Sequence, residues 1–286
     1  MNLKNAIKRF ALYFAMGVSL PVVLTSCDDD VLSSLLSSGD TVSALKEALT
    51  IGAQTAATTL GEDGGYLNDV AVKIGVPEEA QAFFELANTD AGKTFLAAAG
   101  AEVLSEDMLV QLMNQAAEKA APESVEIFAD AITSMTISDG ENILFGADNA
   151  ATEYLHEKTY SGLQQTFGSV VTSTFDQVSV SGYTLNTAWN AFSSNYNKIA
   201  SFKNDKKGEI PMMALKVGLT AAKKDDLYNK IDAIQSVNTN LGEYVTGKAL
   251  DGLFVKVADK EKGIRTNVAE RTSELLQRVF GQLDNK

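Results

Sequence analysis

Apolar residues recur at steps of three and four along most of the chain, a spacing that places them on one face of an α-helix. The first such segment runs from Val42 to Leu60 and stops before Gly61, a residue suited to a helix end. Later segments with this spacing are 77–87, 105–120, 122–132, 138–146, 148–156, 162–178, 185–202, 211–235, 240–257 and 275–283. The pattern predicts an all-α protein, a globular bundle of several helices.

Alternation typical of a β-strand is rare in this chain. Val70, Val72 and Ile74 alternate as in a short extended piece, and Ser, Thr and Val residues between 178 and 185 favour a brief one. We therefore expect at most a short extended segment beside the helices.

The N-terminus has the pattern of a secretory signal. Three basic residues precede an apolar run, 10–24, that is too short for the roughly 20 residues of a spanning helix. The run ends in Leu-Thr-Ser before Cys27, which resembles the lipobox of bacterial lipoproteins. Because Cys27 is the only cysteine, we favour a signal peptide 1–26 and a lipid on Cys27 over an ordinary signal peptide with a chance cysteine.

Residues 27–40 form the predicted tether between the acylated cysteine and a single helical domain, 41–286. Asp28, Asp29 and Asp30 look like sorting signals of bacterial lipoproteins, although they also suit a plain solvated linker. Ten extended residues reach at most about 35 Å, so the domain stays near the membrane. We expect a lipid-anchored envelope protein, at the outer membrane or cell surface rather than the inner membrane.

Composition narrows the class of partner. The chain has 286 residues, 45% of them hydrophobic, only four prolines and a net charge of −13. A sizeable core is therefore available, and few breakers interrupt helices. The acidic balance argues against nucleic acid, whose binding depends on Lys and Arg neutralising phosphates.

Several motifs, kept in order along the chain, carry a family resemblance. They are Met-Asn-Gln-Ala-Ala-Glu at 113–118, Ala-Thr-Glu-Tyr at 151–154, Tyr-Val-Thr at 244–246, Asp-Gly-Leu-Phe at 251–254, and Ile-Arg-x-Asn-x-x-x-Arg-Thr at 264–272. They are similar to those of the bacterial lipoprotein family called domain of unknown function 4197. The departures are Gln115, Leu155 and Val268, where the family usually has Arg, Phe and Pro.

The resemblance covers about Leu45 to Gly281, except for 203–236, which looks like a helical insertion. It implies an exported, mainly helical domain and supplies no activity.

Few residues offer recognisable chemistry. His156 is the only histidine, Cys27 is assigned to lipid, and no nucleophile elbow or metal-ligand spacing is present. We therefore predict no catalytic residue, no metal and no cofactor. The run from Ala87 to Thr94, with Gly92 and Lys93, fits a phosphate-binding loop only loosely, and we interpret it as a turn between helices with a solvated lysine.

Two functions remain open. We favour a non-enzymatic module that binds an envelope protein, lipid or glycan. The alternative is a hydrolase acting on envelope glycan or lipid through carboxylates, with Glu118, Glu153 and Asp251 as its motif acids. A pocket holding two of these carboxylates would favour the enzyme, whereas an apolar groove or flat face would favour binding.

The C-terminal motif contains Arg265, Asn267 and Arg271 in an otherwise acidic protein. Forked guanidinium groups suit bidentate contacts with carboxylate or phosphate. One interpretation is an anion-binding lip with Asn114 and Tyr154 nearby.

The other interpretation is structural, and we favour it. With so many acidic residues, the nearest partner of either arginine is a carboxylate of the same chain. Asp251 and Glu118 are the motif acids that we expect to pair with them.

Overall fold

The computed structural model describes residues 38–237 and 239–285. The predicted signal peptide, Cys27 and most of the tether lie outside the described residues. Inside them the chain is mainly helical, and its strands form one short hairpin. The predicted all-α class is confirmed.

The helices are α1 (Ser38–Leu60), α2 (Glu78–Ala87), α3 (Asp90–Ala98), α4 (Glu106–Ala120), α5 (Ser124–Ser134), α6 (Gly140–Leu144), α7 (Ala150–Ser173), α8 (Leu185–Phe202), α9 (Glu209–Ala221), α10 (Asp225–Asp232), α11 (Leu241–Thr266) and α12 (Glu274–Phe280). Short 3₁₀ turns occupy Ala121–Glu123, Lys206–Gly208, Val268–Glu270 and Gly281–Asn285. Strands β1 (Ser179–Val180) and β2 (Tyr183–Thr184) pair antiparallel, with Ser179 opposite Thr184 and Val180 opposite Tyr183. No helix of the described residues is both long and apolar enough to cross a membrane.

The extended piece predicted at 70–74 is wrong, because that stretch forms no strand. Val70 is fully exposed, whereas Val72 and Ile74 are buried. The backbone of Ile74 pairs with the side chain of Asn114, which accepts from its N–H at 2.9 Å and donates to its carbonyl at 2.8 Å. A side-chain amide here satisfies the backbone that a neighbouring strand would satisfy in a sheet.

Several helices differ from the sequence prediction. Helix α3 begins at Asp90, inside the stretch 87–94 that was interpreted as a turn, and α11 extends to Thr266, beyond the predicted end at 257. The segments 148–156 and 162–178 are one continuous helix, α7, which passes through Gly162. The segment 211–235 is two helices, α9 and α10, and Lys223 between them adopts a positive φ of 57°. The short helix α6 is capped by Asp139, whose side chain accepts from the N–H of Asn142 at 3.3 Å.

The contacts divide the chain into two compact units. Among the described residues, unit 1 comprises 38–65, 118–170 and 249–285, and unit 2 comprises 66–117, 171–237 and 239–248. The single domain predicted for 41–286 stays a prediction, as does the helical insertion at 203–236, which falls inside unit 2.

Unit 1 is organised around α1, which packs against α5, α6 and α12. The buried side chains include Leu45, Leu49, Phe128, Leu144 and Phe280. Gly52 lets α1 and α11 approach closely, because a Cβ there would lie 3.0 Å from the side chain of Val257. Burying apolar faces of several helices on one central helix gives this unit its core.

Unit 2 has an aromatic core between α2 and α8. Phe83 and Phe192 meet edge to face with ring centroids 5.3 Å apart, and Trp189 lies 5.0 Å from Phe192. Helix α9 packs on α3 and α10. A Cβ at Gly218 would lie 2.6 Å from that of Ala91, so the stretch 203–236 is an integral part of this unit.

Candidate functional site

Glu261 is a fully buried carboxylate in unit 1. One of its oxygens accepts from the N–H of Ala151 at 2.9 Å, and the other accepts from the N–H and hydroxyl of Thr152 at 2.7 and 2.6 Å. These donors belong to the first turn of α7, where backbone N–H groups have no partner within the helix. The carboxylate of α11 therefore caps a second helix, and its negative charge suits the positive end of that helix.

Arg265 lies one turn after Glu261 and is also buried. Its Nε donates to Glu261 at 2.8 Å, and its two terminal nitrogens donate to the carbonyls of Leu144 and Ile143 at 2.6 and 3.0 Å. The guanidinium carbon also stands 5.6 Å from the centre of the Phe280 ring, a cation–π distance. One side chain thus connects α11 to the end of α6 and to α12.

Arg271 closes the end of α11. It donates to the carbonyls of Ile264 and Arg265, each at 2.9 Å, and makes a forked pair with Asp284 at 2.6 and 2.8 Å. The Arg271 hydrogen bonds lower the pKa of the Asp284 carboxyl below its usual value. Asn267 accepts from the N–H of Ala269 at 3.1 Å and begins the 3₁₀ turn between the two arginines.

We call Glu261, Arg265, Arg271 and Asp284 the arginine network. Both guanidiniums pair with carboxylates, but these are Glu261 and Asp284, not the expected Asp251 and Glu118. Glu261 is not among the residues predicted from the sequence, although its spacing of four residues from Arg265 is the spacing of a helical ion pair.

The motif acids have other surroundings. Glu118 is buried, and the exposed Glu153 accepts from the side-chain amide of Asn149 at 3.0 Å. Asp251 is exposed and accepts from the hydroxyl of Tyr160 at 2.8 Å. Burial, with added effects of Asp251, raises the pKa of Tyr160 to about 12, so its hydroxyl keeps the proton at neutral pH.

His156 completes a small aromatic cluster beside this pair. Its ring centroid lies 4.4 Å from that of Tyr160 and 4.8 Å from that of Phe254. We call His156, Tyr160, Asp251 and Phe254 the tyrosine cluster. It gathers the only histidine and one motif acid at a partly exposed place between α7 and α11.

Asn114 and Tyr154 hold other parts of the chain. Besides its pair with Ile74, Asn114 donates to the carbonyl of Val110 at 2.7 Å, and all of these contacts are inside unit 2. The hydroxyl of Tyr154 donates to the carbonyl of Thr136 at 2.8 Å. Each of the two side chains therefore serves a backbone segment of its own unit.

A cleft of about 630 Å³ lies in unit 1 between the start of α1 and the residues around the start of α6. Its lining residues are 38–39, 41–43 and 137–141. None of the candidate residues lines it. Among the described residues, no group of three or more His, Cys, Asp or Glu side chains is arranged to hold a metal ion.

Comparison with known families gives a match over most of the chain. The model for the family described as protein of unknown function (DUF4197) matches residues 35–281. The chain belongs to this family. No curated protein and no solved structure matches it. The matched range includes every residue of the arginine network except Asp284.

Proposed function

We propose that this protein is a lipid-anchored lipoprotein of the bacterial cell envelope, at the outer membrane or cell surface, that binds an envelope component without chemical turnover. The lipobox ending at Cys27 supports the anchor. The arginine network supports binding without turnover, because both arginines of the C-terminal motif pair with groups of the same chain.

That engagement carries the argument for a non-catalytic role. Arg265 directs its donors at Glu261 and at two backbone carbonyls, and Arg271 directs its donors at two carbonyls and Asp284. A catalytic or ligand-binding arginine keeps donors for its substrate. These guanidiniums direct their N–H donors at helix ends and carboxylates of the same chain, so their role is structural. We therefore place ligand binding on other surfaces of the protein.

The anchor is tested by metabolic labelling with palmitate in a bacterial host. Label enters the wild-type chain and is absent from Cys27→Ser, since the thiol is the acceptor. A Ser26→Ala variant keeps the thiol and a small residue before it, and it serves as the matched control. Equal labelling of the wild type and Cys27→Ser would contradict the proposed anchor.

A second candidate function is hydrolysis of envelope glycan or lipid. The observation in its favour is the tyrosine cluster, where the exposed carboxylate of Asp251 lies beside Tyr160 and His156. A carboxylate with a partner hydroxyl is a recurrent arrangement for proton transfer.

Incubation with isolated envelopes separates the two functions. Binding predicts that lipid or glycan co-elutes with the wild-type protein in unchanged chemical form. Hydrolysis predicts new products by mass spectrometry that disappear in Asp251→Asn. The control is Asp259→Asn, which changes an exposed carboxylate on the same helix that lies 3.7 Å from Lys256. Products lost only in Asp251→Asn would overturn the non-catalytic role.

A further inference from the structure

Helix α9 is apolar on two opposite faces. Met212, Leu215 and Leu219 are buried in unit 2. On the other side, a second set of apolar side chains is exposed to solvent: Ile210 at 78%, Met213 at 68% and Val217 at 67%. We call this exposed set the α9 stripe.

The α9 stripe is continuous along the helix. Its residues are three and four positions apart, the spacing that aligns side chains on one face. With a rise of 1.5 Å per residue, the stripe is about 10 Å long. Single exposed apolar residues are ordinary, but a contiguous apolar row on a helix marks an interaction surface.

Lysines outnumber acidic residues around the α9 stripe, although the whole protein is acidic. Between residues 203 and 226 the chain has six lysines and four acidic residues, Asp205, Glu209, Asp225 and Asp226, whereas the net charge of the chain is −13. Lys206, Lys207 and Lys223 are exposed and form no ion pair with any described residue. They stand just before and just after the helix, so cations flank both ends of the stripe.

Two of the other lysines have partners in unit 2. The Lys216 ammonium lies 5.4 Å from the centre of the Tyr228 ring, and that of Lys224 lies 3.4 Å from Glu85. Two nearby carboxylates accept hydrogen bonds from neutral groups and keep their negative charge: Asp205 accepts from the backbone N–H of Lys207, and Asp225 accepts from the hydroxyl of Thr220. Lys206, Lys207 and Lys223 are therefore the exposed cations at the ends of the stripe that form no ion pair with a described carboxylate.

We propose that the α9 stripe docks on an anionic lipid bilayer, with Ile210, Met213 and Val217 in the interfacial region and the flanking lysines on headgroup phosphates. The proposal rests on the proposed membrane location of the protein. An apolar helix face with lysines beside it is the composition of helices that lie in the membrane interface. Long lysine side chains reach the phosphates while their methylene groups stay near the acyl chains.

Charge complementarity favours lipid over a second copy of the chain. Two stripes facing each other antiparallel would bring Lys206 and Lys207 of one copy towards Lys223 of the other. Parallel stripes would bring identical lysines together. Both arrangements place like charges side by side, whereas an anionic bilayer supplies the opposite charge. The acidic remainder of the surface is repelled by the same bilayer, so contact through α9 also sets the orientation of unit 2.

Site-specific fluorescence on the full-length chain tests the proposal. Met213→Cys is labelled with a polarity-sensitive fluorophore and added to vesicles of phosphatidylcholine and phosphatidylglycerol that contain spin-labelled lipid. Val70→Cys is the matched control, because Val70 is an apolar residue of the same unit that is 94% exposed and lies outside α9. Unmodified protein gives the background from Cys27. We expect strong quenching at 213, little at 70, and a loss of quenching at 213 when phosphatidylcholine replaces the phosphatidylglycerol and the spin-labelled lipid is kept.

The lysines are tested in the same assay. Replacing Lys206 and Lys207 with Gln lowers the ratio of docked to undocked protein about 30-fold, because each lysine near an anionic surface contributes about fivefold. The control pair, Lys73→Gln and Lys248→Gln, makes the same change in net charge at exposed positions of the same unit and leaves quenching unchanged.

Two outcomes overturn the proposal. In one, positions 213 and 70 are quenched equally by spin-labelled lipid. In the other, a crosslinker joins position 213 to position 213 of another molecule and lipid quenching is absent, which assigns the stripe to a second copy. Neither outcome depends on whether Cys27 carries a lipid, since the fluorophore reports the surroundings of residue 213 itself. Failure of palmitate labelling at Cys27 would contradict the anchor while leaving the docking result intact.

Discussion

Replacement of Arg265 with alanine is the most direct test of the arginine network. The substitution removes the cationic partner of a fully buried carboxylate, Glu261, and side-chain donors to the carbonyls of Ile143 and Leu144. It also removes the cation over the Phe280 ring. Three elements lose a contact at once: α6, α11 and α12.

The magnitude follows from burial. The side chains of Arg265 and Glu261 are 3% and 0% exposed, so solvent does not screen the charge that is left behind. Removing one member of a buried pair costs about 3–5 kcal/mol. Each kcal/mol lowers the Tm by roughly 2–4 °C in proteins somewhat smaller than this one, so we expect a fall of about 6–20 °C.

Thermal unfolding followed by far-UV circular dichroism measures this fall. The control is Arg278→Ala, which removes a surface ion pair with Asp40 at 3.4 Å whose members are 48% and 34% exposed. Such pairs are worth about 0–1 kcal/mol, so this variant should melt close to the wild type. We expect Arg271→Ala to behave like Arg265→Ala, because its guanidinium is also buried.

The structural reading of the network is refuted if Arg265→Ala and Arg271→Ala both melt with Arg278→Ala. In that case the two guanidiniums contribute no net stability, and the anion-binding lip becomes the better explanation. Functional arginines are often neutral or unfavourable for stability, since activity rather than stability maintains them.

Two further predictions concern unfolding in urea. The pKa of Asp284 is lower in the folded state because Arg271 stabilises its ionised form, so this stabilisation is present above the unfolded pKa of about 3.9 and is lost as the pH falls through the folded pKa. Asp284→Asn should therefore be less stable than the wild type at pH 7, and the difference should disappear in acid. An equal difference in stability at both pH values would contradict this prediction. Gly92→Ala should destabilise the protein, because its Cβ would clash with the carbonyl oxygen of Leu86. Gly162 has open space around it, so Gly162→Ala should stabilise α7 by about 1 kcal/mol. Effects of the same sign at the two glycines would show that the approach at Gly92 is unimportant.

Most of the helices were predictable because their signals are local. Apolar spacing and breakers lie within one turn of the residues that they organise, and α1 ends at Leu60 as the pattern and Gly61 indicate. The prediction for 70–74 is wrong because its apolar pattern is local, whereas the residue that pairs with its backbone is distant in the sequence. Asn114 lies 40 residues further along the chain, and no sequence pattern near Ile74 predicts that contact.

The candidate site was predictable in part for the same reason. Intramolecular carboxylate partners for Arg265 and Arg271 follow from the acidic composition, whereas the identity of those partners depends on distances that composition does not contain. Glu261 is four residues from Arg265 and could have been found by helical spacing. Its contacts with Ala151 and Thr152 span about 110 residues, and only the packing of α7 on α11 reveals them.

The distribution of arginine and lysine in this chain suggests that the surface around the α9 stripe binds many anionic groups without selecting the shape of one ligand. There are four arginines in the sequence, and three lie between residues 265 and 278. Each of these three pairs with a carboxylate of the chain. The exposed cations beside the α9 stripe are all lysines.

Arginine presents a rigid planar fork that selects the geometry of one carboxylate or phosphate, whereas lysine is a mobile, strongly hydrated point charge. A pocket built for a single phosphorylated ligand would be expected to place a guanidinium at its surface. A bilayer instead offers many headgroups at variable positions, which mobile point charges accommodate. The distribution of the two residue types therefore favours a lipid surface over a discrete phosphate ligand as the binding partner of α9. The double variant Lys206→Arg and Lys207→Arg should then dock on vesicles nearly as well as the wild type. A site of fixed geometry would instead lose affinity, because the guanidinium has a different shape from the ammonium.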